Sequence, residues 1–390
     1  MTVRRQVCLL HNQVAPYRLP VFAEVNRQVD VEVLFCQKRA AGRRWDADAG
    51  GYGFRQAVLR SWTVGPFLVN PGLLGRLLRG RHDVYLVGDF PETLLATFTA
   101  ILVAKARRKP IVLWSETIDN NANHYESTVA SSSWTARFAR GVLTLGVTAY
   151  RRLLLRLPTR FVALSEASRA FLIEEGVPAD RIDSGIQVQP AELLADPDTA
   201  KEDSPYAGCR VILSVCYLNP RKGIDTLIAA FRELPDPDLR LVIAGTGPAE
   251  RQLRALAAGD QRICFPGYVS GVTHANHFAW ADVFVLPTLV DCWALVVNEA
   301  LHYGVPVITT TEAGARELIA DGRSGRLVPP GDRIALRTVL AELLADPAER
   351  DRMAAAARGR TDITDPRVGA APILSALRKV SGAGVSERTE

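Results

Sequence analysis

The chain has 390 residues, of which 48% are hydrophobic and 23% are charged. This composition is that of a globular protein, and the length exceeds what one ordinary core supports, so we expect two α/β domains of nearly 200 residues each. The net charge of +5 is uneven, because residues 1–190 carry 25 Lys and Arg against 16 Asp and Glu, a net +9, which leaves −4 for the rest. The basic first half predicts an anionic partner, and the lack of a recognition motif disfavours nucleic acid.

Short apolar runs in the first half predict strands, and helical stretches separate most of them. The runs are Val7–Leu10, Val31–Phe35, Ala57–Leu59, Val84–Val87, Ile111–Trp114 and Phe161–Leu164. Alternation of strands and helices is typical of a parallel sheet wrapped by helices. We therefore predict a Rossmann-like βαβ domain over residues 1–190.

A basic, apolar segment lies between the last two of these strands. Residues 134–160 contain six arginines among aromatic and aliphatic residues, and no acidic residue lies between Glu126 and Glu166. The pattern predicts either an amphipathic helix on an anionic membrane surface or an ordinary helix whose arginines face water. The N-terminus lacks the apolar region of a signal peptide and no apolar run could span a bilayer, so we expect a cytoplasmic protein. If the segment forms a helix on an anionic membrane surface, we expect the protein to be peripheral on the inner face of the membrane.

The second half repeats the strand and helix pattern after a proline-rich, acidic linker at 191–207. Its strand-like runs are Val211–Val215, Leu241–Ala244, Ile263–Phe265, Val283–Leu286, Val307–Thr309 and Leu327–Val328. We predict a second Rossmann-like domain over residues 208–365. A last helix within 366–390 is expected to pack back on the first domain, and the carboxyl edges of the two sheets are expected to face each other across a cleft that closes on substrate.

Four clusters of candidate binding residues follow strands of the second domain. Asn219, Arg221 and Lys222 open a helix, where two cations beside a helix N-terminus favour a diphosphate. Two glycine-containing turns follow the next strands, and glycine lets a backbone approach a ligand closely. They are Gly245-Thr246-Gly247 and Gly267-Tyr268-Val269.

The fourth cluster is the stretch Val283–Ala300, VFVLPTLVDCWALVVNEA, in which a buried strand ends in a Pro-Thr turn. Asp291 lies in the following loop and Glu299 lies eight positions later on a helix. Most acidic residues on such helices are merely solvated. Glu299 is flanked by apolar residues, however, so it needs a partner, and its two oxygens could accept hydrogen bonds from adjacent ribose hydroxyls.

These motifs, taken in order, resemble the second domain of family 4 glycosyltransferases of the GT-B fold. The matching strings are NPRKGIDTLIAAF, LVIAGTGP, FPGYV, ADVFVLP, D-x7-E, GVPVITT-x3-GARELI and DGRSGRLVPPGD, within Val211–Asp332. The resemblance implies transfer of a sugar from a nucleotide sugar, with retention of configuration and without a metal or other cofactor. It implies that Lys222 neutralises the diphosphate and Glu299 holds the ribose. It also implies that Gly267–Val269 flank the base and that the backbone of Cys292, Trp293, Ala294 and Leu295 meets the phosphate and the sugar.

Three positions depart from the family pattern. Tyr217 stands where an arginine is usual, Asp291 replaces the first glutamate of the E-x7-E pair, and Ala294 replaces a glycine. These departures suggest an alternative, a non-catalytic nucleotide-sugar-binding protein of the same fold. A dinucleotide-dependent oxidoreductase is a further alternative, disfavoured because the opening turn lacks GxGxxG.

In the first domain, which the resemblance assigns to the acceptor, the candidates are Asn12, Arg18, Asp89, Glu116 and His124. Glu116 is the carboxylate predicted to contact the acceptor. The predicted catalytic residues are Glu116, Lys222, Asp291 and Glu299. Arg18 contacts phosphate or acceptor, or else forms an ion pair on the first helix. Asp89 overlooks the cleft or caps the helix near Pro91. His124 reaches the sugar or is solvated.

Other residues imitate functional motifs without the right context. Asp46 and Asp48, and likewise Asp196 and Asp198, lie in polar loops and do not predict a metal site. His274 and His277 lack a third ligand and are predicted to be surface or packing residues. The six cysteines show no CxxC pairing and are predicted to be reduced core residues.

Overall fold

The computed structural model describes residues 5–39, 50–65, 67–118, 146, 149–196, 204–319 and 322–382. This part of the chain divides into two compact units. The first comprises the residues up to Ile186 together with the C-terminal helix, and the second spans Gln187–Asp365. No helix among the described residues is long and apolar enough to span a membrane.

The first unit is built on a seven-stranded parallel sheet with the order β3-β2-β1-β6-β7-β8-β9. Its strands are β1 (Gln6–Gln13), β2 (Asp30–Gln37), β3 (Arg55–Val58), β6 (Val84–Gly88), β7 (Ile111–Ser115), β8 (Arg160–Ala163) and β9 (Ile182–Ser184). A separate antiparallel pair is formed by β4 (Trp62–Val64) and β5 (Phe67–Val69). The six strands predicted in this half are confirmed with ends shifted by at most three residues, while the three-residue strands β4, β5 and β9 were not predicted.

The helices of the first unit are α1 (Leu19–Gln28), α2 (Leu73–Arg79), α3 (Leu94–Ala106), α4 (Glu166–Glu174) and the C-terminal α11 (Pro366–Gly382). Within this unit α11 packs on α1, β8 and β9. Lys379 near its end places Nζ 2.5 Å from Oδ1 of Asp183 in β9. The C-terminal helix is therefore part of the first unit.

The second unit contains a six-stranded parallel sheet with the order β12-β11-β10-β13-β14-β15. Its strands are β10 (Arg210–Val215), β11 (Leu239–Ala244), β12 (Ile263–Gly267), β13 (Val283–Leu286), β14 (Val307–Thr310) and β15 (Gly325–Val328). Its helices are α5 (Ile224–Arg232), α6 (Glu250–Ala257), α7 (Gly271–Ala279), α8 (Leu295–His302), α9 (Arg333–Ala345) and α10 (Pro347–Arg358). All six strands predicted for this half are confirmed.

The helices of the second unit follow the 3.6-residue period of their apolar side chains. In α5, Ile224, Leu227, Ile228 and Phe231 recur at i, i+3, i+4 and i+7 and are all buried in the same core as β10 and β11. The sheet order reverses between β10 and β13, which are neighbours although two strands separate them in sequence. Such a reversal leaves a crevice at the carboxyl ends of the two strands, where α/β domains bind their ligands.

Candidate functional site

Two loops meet at this reversal point of the second unit, one after β10 and one after β13. The Arg221 carbonyl oxygen accepts hydrogen bonds from Leu289 N at 2.7 Å and from Thr288 Oγ1 at 3.0 Å. Gly223 has φ +64°, and a Cβ there would lie 2.1 Å from the carbonyl oxygen of Pro287. Only glycine tolerates both the backbone conformation and this close approach, so the sequence holds the two loops together at this point.

Lys222 and Asp291, predicted separately from the sequence, form an ion pair across the two loops. Their side chains are only 14% and 11% exposed, so the pair is largely shielded from water. Burial alone would raise the pKa of Asp291, but the Lys222 ammonium, with Arg221 nearby, holds that pKa below its usual value. Asp291 is therefore ionised, and the crevice holds a fixed cation beside a fixed anion.

The loop after β13 is fixed by its own backbone. Asp291 N donates to Glu312 O at 3.1 Å, and Gly314 N donates to Asp291 O at 2.8 Å. Trp293 N donates to Asp291 Oδ1 at 3.3 Å. The backbone N–H and C=O of Asp291 are thus both hydrogen-bonded, and its carboxylate also accepts a hydrogen bond. The side chain therefore has little freedom to follow a partner that moves.

Helix α8 begins directly after this loop at a strained residue. Ala294 has φ +75° and ψ +72°, a left-handed conformation that L-residues other than Asn and Asp rarely adopt. The preceding Trp293 is 1% exposed and donates from Nε1 to Asn298 Oδ1 at 2.9 Å. The indole of Trp293 therefore anchors the helix start in the core, so only the backbone of this residue, and not its side chain, stays a candidate for ligand contact.

Glu299, in the middle of α8, has a partner that sequence reasoning missed. Its Oε2 lies 2.9 Å from Nε2 of His274 on α7, and the two side chains are 16% and 17% exposed. The prediction that His274 is a surface or packing residue did not include this contact with Glu299. His277 is buried and donates from Nδ1 to Thr273 O at 2.7 Å, as a packing residue would.

The glycine turns after β11 and β12 are required first by the packing of neighbouring loops. A Cβ on Gly245, which has φ +131°, would lie 1.9 Å from Cys216 O, and one on Gly247 would lie 2.3 Å from Leu218 O. Gly245 N donates to Gly267 O at 2.7 Å, which joins the two turns. These glycines bring the loops after β10, β11 and β12 together at one edge of the sheet.

Two polar features border this edge. Asn219 is 5% exposed, and its Oδ1 accepts no hydrogen bond from any described residue. Tyr217 and Tyr268 are 42% and 46% exposed. A buried acceptor without a donor is rare in proteins, so Asn219 Oδ1 is a candidate for accepting a hydrogen bond from a ligand.

The described candidates of the first unit form three separate groups, around Glu116, Asn12 and Asp89. Arg18 is 3% exposed, forms an ion pair with Glu116 and lies over the Trp114 ring at 4.7 Å, and Trp114 Nε1 donates to Glu116 Oε1 at 3.0 Å. Arg18 therefore forms an ion pair, as one of its two alternatives predicted, but its partner Glu116 follows β7 and does not lie on the first helix. Asn12 Nδ2 donates to Glu92 Oε1 at 2.8 Å. Glu116 thus has two fixed partners before any acceptor is considered.

Asp89 is not a helix cap. It accepts hydrogen bonds from Thr117 Oγ1 at 3.1 Å and Ser115 Oγ at 3.4 Å, and Arg151 Nε lies 3.4 Å away. The turn that begins at Pro91 shows no side-chain cap, so the capping alternative is wrong. Asp89 instead lines a shallow depression of the first unit with Tyr150 and Arg151.

Some of the predicted residues lie outside the described part of the chain. They are His124, Asp46, Asp48 and Asp198, together with most of segment 134–160. Among the described residues no cluster of three His, Cys, Asp or Glu side chains could hold a metal ion. All six cysteines are described and none forms a disulfide. Cys8 and Cys36 are buried in the core as predicted, whereas Cys209, Cys216, Cys264 and Cys292 are only partly buried, so the prediction of six core residues is wrong for these four.

Comparisons with known proteins agree with the motifs. Residues 198–360 match the sequence profile of the family described as "Glycosyl transferases group 1". Phosphatidyl-myo-inositol mannosyltransferases of Mycobacterium leprae and Mycolicibacterium smegmatis are 32% and 33% identical over 228 and 231 residues, 57% of this chain in each case. The matched regions are 60% and 58% of those proteins, so the chain spans about three fifths of the length of these relatives.

Solved structures give the fold of the whole chain. The Anabaena protein HepE in complex with UDP has a TM-score of 0.73 at 18% identity, covering 96% of this chain and 100% of that one. Sucrose-phosphate synthase from Thermosynechococcus elongatus has a TM-score of 0.71 at 18% identity, with 98% and 100% covered. The chain therefore has the GT-B fold predicted from its motifs, and its residues 198–360 are similar to the group 1 glycosyltransferases.

Proposed function

We propose that the protein is a glycosyltransferase that moves a sugar from a nucleotide sugar to a polysaccharide or lipid-linked acceptor, with retention of configuration. The observation that carries the proposal is the meeting of Lys222, Asp291 and the start of α8 at the reversal point of the second sheet. That point is where domains of this architecture bind nucleotides. The family of residues 198–360 and the complex of HepE with UDP support it.

The donor contacts that we propose follow the chemistry of each group. The Lys222 ammonium, with the Arg221 guanidinium beside it, binds the diphosphate, and the first backbone N–H groups of α8 add partial positive charge. Glu299 accepts hydrogen bonds from the two ribose hydroxyls, and Gly267, Tyr268 and Val269 flank the base. Asn219 Oδ1 accepts from a donor group of the same ligand.

Bond cleavage builds negative charge on the departing diphosphate, and Lys222 stabilises that charge in the transition state. The acceptor hydroxyl must also lose its proton as the new glycosidic bond forms. In our proposal the leaving phosphate oxygen, held beside that hydroxyl, accepts the proton, so no separate protein base is needed. The reaction as proposed uses no metal or other cofactor, and Asp291 orients a hydroxyl of the transferred sugar.

The first unit supplies the acceptor site in this proposal. Glu116 and Asp89 lie at the carboxyl ends of neighbouring strands β7 and β6, where ligands of α/β domains bind. Asp89 lies at this edge of the sheet beside Tyr150 and Arg151. The names of the two mannosyltransferases support a lipid-linked acceptor.

A lipid-linked acceptor requires access to a membrane surface, and we propose that the first unit provides it. Helices α2 and α3 pack on each other and expose Leu74, Leu78 and Leu102, which are 49%, 55% and 53% exposed. Arg79 at the end of α2 and Arg108 after α3 are also exposed. Exposed leucines with arginines beside them favour an anionic bilayer.

Vesicle flotation tests the membrane proposal. The protein should float with vesicles of phosphatidylcholine and phosphatidylglycerol more than with phosphatidylcholine alone, and the L74E/L78E double variant should lose this preference. L256E, which changes a leucine 41% exposed on α6 of the second unit, is the matched control and should float like the wild type. Equal flotation of the two leucine variants would contradict the surface we assign.

Mass spectrometry of products tests the enzymatic proposal. The protein is incubated with UDP- and GDP-linked sugars, phosphatidylinositol vesicles or oligosaccharide acceptors, and EDTA, and the anomer of the product is assigned by NMR. Transfer with retention in EDTA is expected. K222A should lower the transfer rate by at least about 100-fold, the effect of losing a group that stabilises the transition state. E299A should lower the transfer rate because it loses the contacts to the donor ribose, whereas E342A, at an exposed position of α9, should not lower it.

Three results would contradict the proposal. Binding of nucleotide sugars without turnover for any acceptor would identify the non-catalytic alternative suggested by Tyr217, Asp291 and Ala294. Binding of NAD with no binding of nucleotide sugars would favour the oxidoreductase. Wild-type transfer by K222A or E299A would refute the roles assigned to these side chains.

A further inference from the structure

The His274 imidazole is held against Glu299 by groups on three elements. His274 lies on α7, which begins four residues after Gly267, and its ring contacts the edge of Phe278 with centroids 5.0 Å apart. Phe278 is 1% exposed and stacks on Tyr303 beyond α8 at 5.1 Å and against Phe284 of β13 at 5.7 Å. Phe278, itself held by Tyr303 and Phe284, packs against the imidazole, so the 2.9 Å approach of Nε2 to Glu299 Oε2 is a supported contact.

We propose that His274 is a positioning residue that orients the Glu299 carboxylate for the two hydroxyls of the donor ribose. The inference rests on the proposed function, in which Glu299 holds that ribose. A carboxylate that grips two adjacent hydroxyls must present one oxygen to each, and its terminal torsion is otherwise broad. A hydrogen bond from Nε2–H to one lone pair of Oε2 fixes that torsion and leaves Oε1 and the second lone pair of Oε2 for the ribose.

The same contact links recognition of the base to recognition of the ribose. Helix α7 follows directly on the Gly267, Tyr268 and Val269 turn that we assign to the base, and its first turn lies beside Glu299 on α8. The two helices are thereby joined by a side-chain hydrogen bond between the elements that would hold the two halves of a nucleoside. His277, three residues further along α7, bonds to its own helix and takes no part.

Nucleotides that lack the ribose hydroxyls separate this role from a structural one. We would measure the affinity of UDP and GDP, and of their 2′,3′-dideoxy counterparts, for the wild type, E299A, H274A, H274L and H274Q by calorimetry. The wild type should prefer the ribonucleotide and E299A should lose the preference. H274A and H274L should bind the ribonucleotide about 3- to 10-fold more weakly, the effect of one hydrogen bond, and bind the dideoxynucleotide unchanged.

H274Q is the conservative variant, because a glutamine amide can place an N–H near the position of Nε2 and should restore the preference. Equal losses for both nucleotides in H274A and H274L would indicate a structural role and overturn the inference. An unchanged preference in H274A, with loss in E299A, would overturn the inference and leave the proposed function standing. A wild type that does not distinguish the two nucleotides would overturn the ribose role of Glu299, and the inference with it.

Discussion

The pairing of Lys222 with Asp291 predicts that the two single substitutions destabilise the protein unequally. In K222M the Asp291 carboxylate, 11% exposed and bonded to Trp293 N, keeps its charge and loses its counterion. Removing one partner of a buried pair costs about 3–5 kcal/mol, and the residual exposure reduces this to about 2–3 kcal/mol. In D291N the amide oxygen still accepts from Trp293 N and the flexible lysine can reach water, so the loss should be about 1 kcal/mol.

The double variant K222M/D291N removes both charges and should recover most of the loss seen in K222M. We therefore expect a coupling energy of at least about 1 kcal/mol in the double-mutant cycle. The folded-state pKa of Asp291 is lowered, so the contribution of the pair is present above the unfolded pKa near 3.8 and is lost as the pH falls through the folded pKa. The difference between the wild type and K222M should accordingly shrink in acid below about pH 4.

Because the chain has two units, a single unfolding transition cannot be assumed, and a measurement local to the second unit is needed. Hydrogen exchange of peptides from β13 and α8, analysed by mass spectrometry at about pH 7, reports the opening free energy of that region. Denaturant titration followed by circular dichroism gives the global value. A D291N loss equal to or greater than that of K222M, or additive effects in the double variant, would refute the reasoning.

Three further substitutions test local geometry and charge. G245A should lower the free energy of unfolding by more than about 2 kcal/mol because its Cβ would lie 1.9 Å from Cys216 O. G259A has φ +86° but open space around it, so it should lower that free energy by only about 1 kcal/mol. Equal losses in thermal unfolding would contradict the steric explanation. A294G relieves a left-handed alanine and should be neutral or stabilising by up to about 1 kcal/mol, and a clear loss in denaturant titration would show that φ +75° carries no strain. Burial and the Arg18 charge lower the pKa of His11 from 6.5 to about 3. The free energy of unfolding of the wild type should therefore fall by about 2 kcal/mol between about pH 6.5 and 5, and that of H11N should not. Parallel pH profiles of the two proteins would contradict this.

Most strands were predictable from sequence because each is a short apolar run bounded by turn residues. Parallel strands that are buried on both faces, such as β10 and β13, read as continuous runs of Val, Ile and Leu. The three-residue strands β4, β5 and β9 were not predictable, because so short a segment has no period to detect. Trp62 and Val64 of β4 are also exposed, which removes the alternation that marks a half-buried strand.

The sequence was enough to predict which loops form the candidate site, but less so to predict which side chains contact each other there. Lys222 and Asp291 were each identified from their position after a strand, but their pairing follows from the neighbouring places of β10 and β13 in the sheet. The contact of His274 with Glu299 could not be predicted because the two residues are 25 positions apart in sequence, and no sequence spacing links a residue on α7 to one on α8. Arg18 was uncertain for the same reason, since Glu116 is 98 residues away.

Tyr217 and Asp291, two of the departures from the family pattern, both affect the charge balance of the crevice. The motif resemblance leads us to expect an arginine at the position of Tyr217, so in our proposal this chain meets a donor diphosphate with one cation fewer. Lys222 is already paired with Asp291, whose shorter side chain is fixed by Trp293 N, and a bound diphosphate would compete with that carboxylate for the same ammonium. Arg221 is close enough to lower the pKa of Asp291, which places a second positive charge at the pair. In our proposal Arg221 and Lys222 together neutralise one carboxylate and one phosphate charge, so loss of Arg221 should weaken diphosphate binding.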